Sequence, residues 1–403
     1  MWKKQSNKKK ENTSRVREKS GKKLSLKRQK RYKKFIGISA ILLFSIVIVS
    51  MGRYFFANLI LRLEDSIWAF GVGTNNGFPC EIKGDKVPSN DMVILNDNIA
   101  VLSDKFFESF NLFGQRISCR VHNLSNPMMR TSDSGALLYD IGGNNYSIES
   151  CSKNILKGDL KYKIICGDIS ENGIYGFITD STSYLSCMTI LNTKKIEKYK
   201  YNFSDFYVCG MAMKPDGNGV AVCGSLCEKG EINSYIYIFN FEKKEPLLKY
   251  EFPNETIVSL HYLSNRNLVA IGNKSLIFID IKKNNKKDIS YAPKLLKCTS
   301  IEKNNGLVCC WSSLCEDKEA RLVSIDKDGN IRFEIHLEGA VDKISADKNK
   351  ILCIQDKNIL VYDNSGKFKN KIGLANNSTG ILKLSSSSVA VLENKTLEKV
   401  NIS

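Results

Sequence analysis

A repeat of about 41 residues is the feature that most constrains this 403-residue chain. Short apolar runs rich in β-forming residues recur along it, and the first and last begin at Ile99 and Val389, 290 residues apart over seven intervals. That spacing matches the four-stranded blade of a β-propeller. The eight runs are Ile99–Leu102, Ala136–Tyr139, Tyr175–Ile178, Val220–Cys223, Leu268–Ile271, Leu307–Cys310, Ile351–Ile354 and Val389–Leu392.

The residues around each run also fit a blade. Most runs follow a turn rich in Asn, Gly, Asp or Ser, and an alternating strand such as Tyr235–Phe239 comes next. A more polar strand such as Ile331–Ile335 follows in turn, as expected when inner strands are buried and outer strands are half exposed. We therefore predict an all-β fold, a β-propeller with eight blades, while seven blades and a cap remain an alternative.

The ends of the repeat region suggest how the ring closes. The last repeat begins near Thr379 and has room for only three strands before Ser403. We expect a strand from around Pro79–Gly84 to supply the fourth, because closure removes an exposed sheet edge.

Charge is concentrated at the N-terminus. Residues 1–34 hold 16 Lys and Arg against Glu11 and Glu18, so this tail carries +14 of the formal +18 and the rest of the chain only +4. The tail has too few apolar residues to fold alone. Basic tails of this kind can bind nucleic acid, act as nuclear-localisation-like patches or flank a membrane helix. The position of this tail, directly before an apolar stretch, favours the last of these three roles.

An uncharged apolar stretch follows the tail at once. Residues 35–52 would rise about 27 Å as a helix, close to the ~30 Å hydrocarbon core of a bilayer. Lys and Arg collect on the cytoplasmic side, which places the tail inside and residues 53–403 outside. A cleaved signal peptide is the alternative, but its apolar region is usually shorter, and Ser50–Gly52 fits a cleavage site only weakly.

These observations predict the domain organisation and several partners. We expect a basic cytoplasmic tail at 1–34, a transmembrane helix at 35–52, a juxtamembrane linker at 53–77 and a β-propeller ectodomain at 78–403. The linker is partly apolar, and its sequence fits either an interfacial helix or a first strand. The expected partners are the lipid bilayer, anionic lipid headgroups at the tail and an envelope protein or glycan, with no nucleic acid.

Three segments resemble a known family. The residues IAVLSDKFFESFNLFGQRISCRV (99–121), GALLYDIGGNNYSI (135–148) and MAMKPDGNGVAV (211–222) are similar to uncharacterised Gram-positive, clostridial-type membrane proteins, known as domain of unknown function 5711. The resemblance implies a basic tail, one anchor helix and a propeller-like ectodomain, and it implies no catalytic residues. The blades are more distantly similar to quinoprotein-like and outer-membrane-assembly propellers, which is an analogy of fold only.

Thirteen cysteines lie between Cys80 and Cys353, all in the part predicted to be outside the cytoplasm. The odd number suggests at least one free thiol. Zinc sites usually show paired CxxC motifs or added His, and neither is present, so a metal site is disfavoured. Two groups could still hold a metal or a disulfide, namely Cys223 with Cys227, and Cys309 and Cys310 with Cys315. Six cysteines in apolar strand runs are expected to pack as small hydrophobic residues: Cys166, Cys187, Cys209, Cys223, Cys309 and Cys353.

Other candidate sites have simpler structural explanations. His122, His261 and His336 are isolated in the sequence, and we interpret them as structural. The segment DKDGN (326–330) lacks the spacing of a calcium loop and is predicted to be a β-turn, as is the Gly142–Gly143 pair. With only three Trp, a quinone cofactor is disfavoured. We assign no catalytic, cofactor-binding or metal-binding residue and expect no cofactor.

The sequence therefore favours a non-enzymatic binding or scaffolding module at the cell envelope. Propellers present loops and a central channel on a rigid ring, which suits recognition. Two alternatives remain: an enzyme that acts on an extracellular glycan or peptide through carboxylates at the channel mouth, and a sensor that signals through the basic tail.

Overall fold

The computed structural model describes Ser39 and residues 53–87, 92–313, 319–376 and 378–402, with side chains from Asn58 onward within these last ranges. Residues 1–57 and 58–403 form separate units, and the second holds the propeller. The predicted tail at 1–34 and the predicted transmembrane helix at 35–52, Ser39 excepted, lie outside the described residues. Within the described part of the chain, no helix combines the length and the apolar character needed to cross a bilayer.

The fold begins with one helix and continues as strands. Helix α1 spans Arg53–Gly71, where the sequence left open a helix or a strand. The strands of the first half are β1 (Cys80–Glu81), β2 (Met92–Leu95), β3 (Asn98–Leu102), β4 (Phe106–Phe110), β5 (Arg116–Val121), β6 (Pro127–Ser132), β7 (Gly135–Asp140), β8 (Asn145–Glu149), β9 (Asn154–Asp159), β10 (Ile164–Ile169), β11 (Tyr175–Thr179), β12 (Ser186–Leu191), β13 (Glu197–Phe203), β14 (Tyr207–Met213), β15 (Gly219–Glu228) and β16 (Glu231–Asn240). Those of the second half are β17 (Leu248–Phe252), β18 (Ile257–Tyr262), β19 (Asn267–Gly272), β20 (Ser275–Asp280), β21 (Asn285–Ser290), β22 (Leu295–Glu302), β23 (Gly306–Ser312), β24 (Glu319–Asp326), β25 (Ile331–Glu338), β26 (Lys343–Ala346), β27 (Lys350–Gln355), β28 (Asn358–Asp363), β29 (Phe368–Gly373), β30 (Ser378–Lys383), β31 (Ser388–Glu393) and β32 (Thr396–Asn401).

The 32 strands form eight antiparallel sheets of four, which confirms the predicted eight-bladed propeller. Blades 1 to 7 are consecutive meanders, from β2–β5 to β26–β29. Blade 8 has the order β1-β32-β31-β30, because β1 pairs with β32 through Cys80 and Leu397. The ring thus closes with an N-terminal strand from the predicted segment, which pairs with the outer edge of β32.

The core is divided among the junctions of the ring. Eight clusters of buried apolar side chains occur in the described residues, and each one joins two neighbouring blades. The second strand of each blade is almost fully buried because it lies between two such clusters, which explains the continuous apolar runs in the sequence. Blade 8 joins blade 1 through Phe78, Ile82 and Leu397, among others.

Tight turns of one kind recur between third and fourth strands. Asp326 accepts hydrogen bonds at Oδ1 from the backbone nitrogens of Asp328 and Asn330, and Gly329 has φ of +80°. DKDGN is therefore the predicted β-turn, and its Asp side chain mimics a backbone acceptor. Gly143 likewise donates to the carbonyl of Asp140, as expected for a turn.

Helix α1 packs on one face of the ring. We call this the α1 face; it carries the turns between first and second strands, such as residues 96–97, 133–134 and 170–174. Asp65 is fully buried there, and Arg62 forms an ion pair with Asp133 at 3.1 Å. At the C-terminal end of the helix, Asn111 donates to the carbonyls of Ala69 at 2.9 Å and Gly73 at 2.8 Å. The helix is held by polar contacts to blades 1 to 3.

Candidate ligand channel

The first strands of the eight blades surround a central cavity of about 850 Å³. These strands belong to rigid four-stranded sheets, so the side chains that they present are fixed in position. A concave, preformed and partly polar cavity of this size is the usual setting for ligand binding. The channel is therefore the candidate functional site.

Three titratable side chains of the channel lie at one depth. Arg130, Asp168 and His261 occupy equivalent positions in blades 2, 3 and 5, because each pairs with the second residue of the apolar run on the next strand. We call the full set at this depth the central ring. Its members and their strand partners are Val93 with Ala100, Arg130 with Leu137, Asp168 with Gly176, Ala212 with Ala221, His261 with Val269, Ser300 with Val308, Ser345 with Leu352, and Leu382 with Ala390.

The charges of the central ring influence one another. Burial raises the pKa of Asp168, while the nearby Arg130 guanidinium and a hydrogen bond from the Met213 backbone nitrogen (2.7 Å) oppose that rise. Burial, together with Arg130, lowers the pKa of His261 to about 4. His261 is therefore neutral at pH 7 and can donate or accept a hydrogen bond, while Arg130 provides the positive charge.

An ion pair crosses the channel at the α1 face. Glu171 follows the first strand of blade 3 and Lys303 that of blade 6, and their charged groups lie 3.0 Å apart. Because these blades are not neighbours and both residues line the cavity, the pair spans the opening. Asn58 of α1 donates to the carbonyl of Glu171. A second ion pair joins Asp347 to Lys383, so two of the lining carboxylates are already engaged by lysines.

The histidines have different environments. His122 bridges the backbone of Ser103 and Leu124, with ring nitrogens 3.1 Å from the Ser103 carbonyl oxygen and 3.0 Å from the Leu124 nitrogen, so both ring nitrogens are engaged by the backbone. His336 lies on β25, an outer strand. His261 is instead in the central ring with Arg130, so the structural interpretation misses its position.

Twelve cysteines are described, and all are free thiols. Five of the six predicted to be buried are so, but Cys209 is exposed, and that prediction is wrong. The cause is a β-bulge at the start of β14, where pairing passes from Val208 to Gly210 and leaves Cys209 outside the ladder. Cys227 is exposed, whereas Cys223 is buried.

Of the three cysteines considered as a metal or disulfide group, the structure describes Cys309 and Cys310, and Cys315 lies outside the described residues. Cys310 pairs across the strands with Cys298. No group of three His, Cys, Asp or Glu suited to holding a metal ion occurs among the residues that the structure describes.

No pattern in the sequence singled out Arg130 or Asp168. Each is the one charged residue of its first strand, and only alignment of the repeats by their apolar runs would have placed both opposite the second residue of a run. That alignment is the signal that could have found the central ring.

Comparison with known proteins supports the fold. The profile of a family of unknown function, DUF5711, matches residues 80–402. Among solved structures, the chain is similar to BamB from Moraxella catarrhalis, at 12% identity and a TM-score of 0.50 over 80% of this chain and 100% of that one. It is also similar to Saccharomyces cerevisiae Sqt1, at 12% identity and a TM-score of 0.52 over 82% and 100%. The search of curated proteins found no match. At such low identity these structures indicate the fold alone.

Proposed function

This chain belongs to the DUF5711 family of unknown function, and we propose that it is a single-pass membrane protein whose propeller lies outside the cytoplasm and binds a partner at the cell envelope without catalysing a reaction. The central ring is the recognition site in this proposal, and the closed ring of blades is the scaffold that holds it.

The central ring is the observation that carries the binding role. It holds one guanidinium, one carboxyl, one imidazole and two hydroxyls on strands that cannot move independently. Fixed donors and acceptors of this kind suit recognition of a polar ligand, because little side-chain entropy is lost on binding. Two further lining carboxylates, Glu171 and Asp347, are neutralised by ion pairs, which argues against a pair of acids acting on a glycosidic bond.

The membrane location is supported by the sequence. The tail at 1–34 carries +14, the stretch at 35–52 has no charge, and only Arg53 and Arg62 follow closely. This asymmetry favours a cytoplasmic N-terminus. The basic tail would also be attracted to anionic lipid, at about 1 kcal/mol for each basic residue near the surface.

Topology can be tested by reporters fused to the C-terminus of the full chain. A phosphatase that folds only outside the cytoplasm is expected to be active, and a fluorescent protein that folds only inside is expected to be dark. Removing positive charge from residues 1–34 should weaken this preference. The reverse pattern of reporter activity would contradict the location.

Binding can be tested by cross-linking the full chain in intact cells. Arg130→Gln is expected to reduce recovery of a cross-linked envelope component, because it removes the positive charge of the central ring. Arg321→Gln is the matched control, since Arg321 pairs with Glu334 on the outside of blade 6. Equal recovery from both variants would count against recognition in the channel. Hydrolysis of a glycan or peptide that is lost in Asp168→Asn would instead support the enzyme alternative.

A further inference from the structure

Helix α1 presents an apolar surface to the outside of the protein. Six of the eighteen large hydrophobic side chains that are exposed among the described residues lie in Asn58–Gly71, which is only 14 residues long. Four of these six are Ile60, Leu63, Ile67 and Phe70, which are 62%, 54%, 71% and 77% exposed. Their spacing of three, four and three residues puts them on one side of the helix. We call these four residues the outer stripe.

The opposite side of α1 is polar and faces the propeller. Asn58, Arg62, Asp65 and Ala69 repeat at four, three and four residues, and all four contact the α1 face. A surface helix of a globular protein normally buries its apolar side and exposes its polar side. Helix α1 does the reverse, so its polar side is satisfied by protein and its apolar side has no protein partner among the described residues.

We propose that the outer stripe lies in the outer interface of the lipid bilayer and holds the α1 face of the propeller against the membrane. This inference rests on the proposed function, since it requires the segment at 35–52 to be the membrane anchor. That segment ends directly before α1 begins at Arg53, and Ile60 follows only eight residues after Gly52. At 1.5 Å per helical residue, the stripe begins about 12 Å along the chain from the end of the anchor.

The chemistry of the stripe fits a lipid surface. Interfacial helices bury an apolar face at the boundary between headgroups and acyl chains. Trp68, which is 56% exposed next to the stripe, is a residue type enriched at that boundary. A second copy of the chain could also cover the stripe, but the continuity with the predicted anchor favours lipid.

The orientation has a consequence for the channel. The end crossed by Glu171 and Lys303 lies at the α1 face and would be turned to the bilayer. A partner would therefore approach the central ring from the opposite face of the propeller.

Quenching of tryptophan emission by brominated lipids tests the proposal in the full chain reconstituted into liposomes. The Trp2→Phe background leaves Trp68 and the buried Trp311 as emitters. We expect lipid-dependent loss of emission, and we expect this loss to disappear in Trp68→Phe. The combined variant Ile60→Ser/Ile67→Ser/Phe70→Ser should also lose it while keeping the thermal midpoint, since these side chains are exposed. Ile232→Ser is the control: Ile232 is 48% exposed beside the β15–β16 turn on the opposite face, and its loss should leave quenching unchanged.

Extraction with alkaline carbonate separates this inference from the proposed function. If the chain stays in the bilayer but Trp68 is not quenched, the outer stripe does not contact lipid, whether Trp68 faces water or a second copy of the chain. That result would overturn this inference and leave the membrane anchoring standing. Release of the chain by carbonate would overturn the anchoring and this inference with it.

Discussion

The carboxylate of Asp65 in helix α1 accepts two hydrogen bonds from Ser152, one from the backbone nitrogen at 2.9 Å and one from the hydroxyl at 2.6 Å. Its other oxygen accepts from Asn96 at 3.1 Å and from the Cys151 nitrogen at 3.3 Å. Asp65 and Ser152 are 87 residues apart in the chain. A fully buried charge with four donors thus joins the helix to blades 1 and 2.

Asp65→Ala is expected to loosen α1 from the ring. The substitution removes a buried acceptor of charge-assisted hydrogen bonds, which costs about 2–3 kcal/mol of docking free energy. Hydrogen–deuterium exchange of residues 58–71 should become faster. Glu64→Ala is the control, because the ion pair of Glu64 with Lys153 is partly exposed and worth only about 0–1 kcal/mol. Equal exchange in the two variants would contradict the role given to Asp65.

Ile82→Ala should destabilise the closure of the ring. The side chain of Ile82 is 1% exposed and packs with Phe78 and Leu397 where blade 8 meets blade 1. Losing this buried apolar volume costs about 2–5 kcal/mol, so the thermal midpoint should fall by several degrees. The same change at the exposed Ile232 should leave the midpoint nearly unchanged. A small effect at both positions would mean that closure contributes little to stability.

Acid should destabilise the protein through His261. Its pKa is lowered from 6.5 to about 4 by burial and by Arg130, while Asp168 is the carboxyl in the same ring. The unfolded chain takes up a proton as pH falls through 6.5, and the folded chain does so only near 4. Stability should therefore fall between these values, by up to about 3 kcal/mol.

The comparison of two histidine variants isolates this effect from other titrating groups. In His261→Gln, the thermal midpoint should decline less between pH 7 and pH 5 than in the parent chain. His336→Gln, on an outer strand, should decline as the parent does. Parallel declines in all three chains would show that His261 is not the group responsible.

Cys209 should be the fastest of the strand cysteines to react with iodoacetamide at pH 7. A hydrogen bond from the thiol of Cys223 lowers the pKa of Cys209 to about 7, whereas burial raises the pKa of Cys166 to about 12. The thiolate is the reactive form. Cys223→Ala should slow alkylation of Cys209 several-fold, as measured by mass spectrometry of the peptides. Slower reaction of Cys209 than of Cys166 would refute the assignment.

The repeat was predictable because its cause is local. Each apolar run is a second strand between two interblade clusters. Because such a strand is buried on both sides, its residues are apolar without alternation, as in the run that begins at Ile99. Closure through Cys80–Glu81 was also predictable, since the last repeat lacked one strand. The exposure of Cys209 was not, because a bulge changes which side a residue faces without changing the apolar pattern around it.

The sequence by itself determined the length of the repeat, the turn at DKDGN and the segment from which the closing strand comes, since periodicity and turn chemistry act between near neighbours. The sheet pairing then decided for eight blades over seven. Only the tertiary structure decided that Arg130, Asp168 and His261 share one depth in the channel and that α1 turns its apolar side outward. Both depend on contacts between residues tens of positions apart, which the pattern around any one of these residues does not record. Alternation and spacing tell which residues share a face, but the closed ring decides what each face meets.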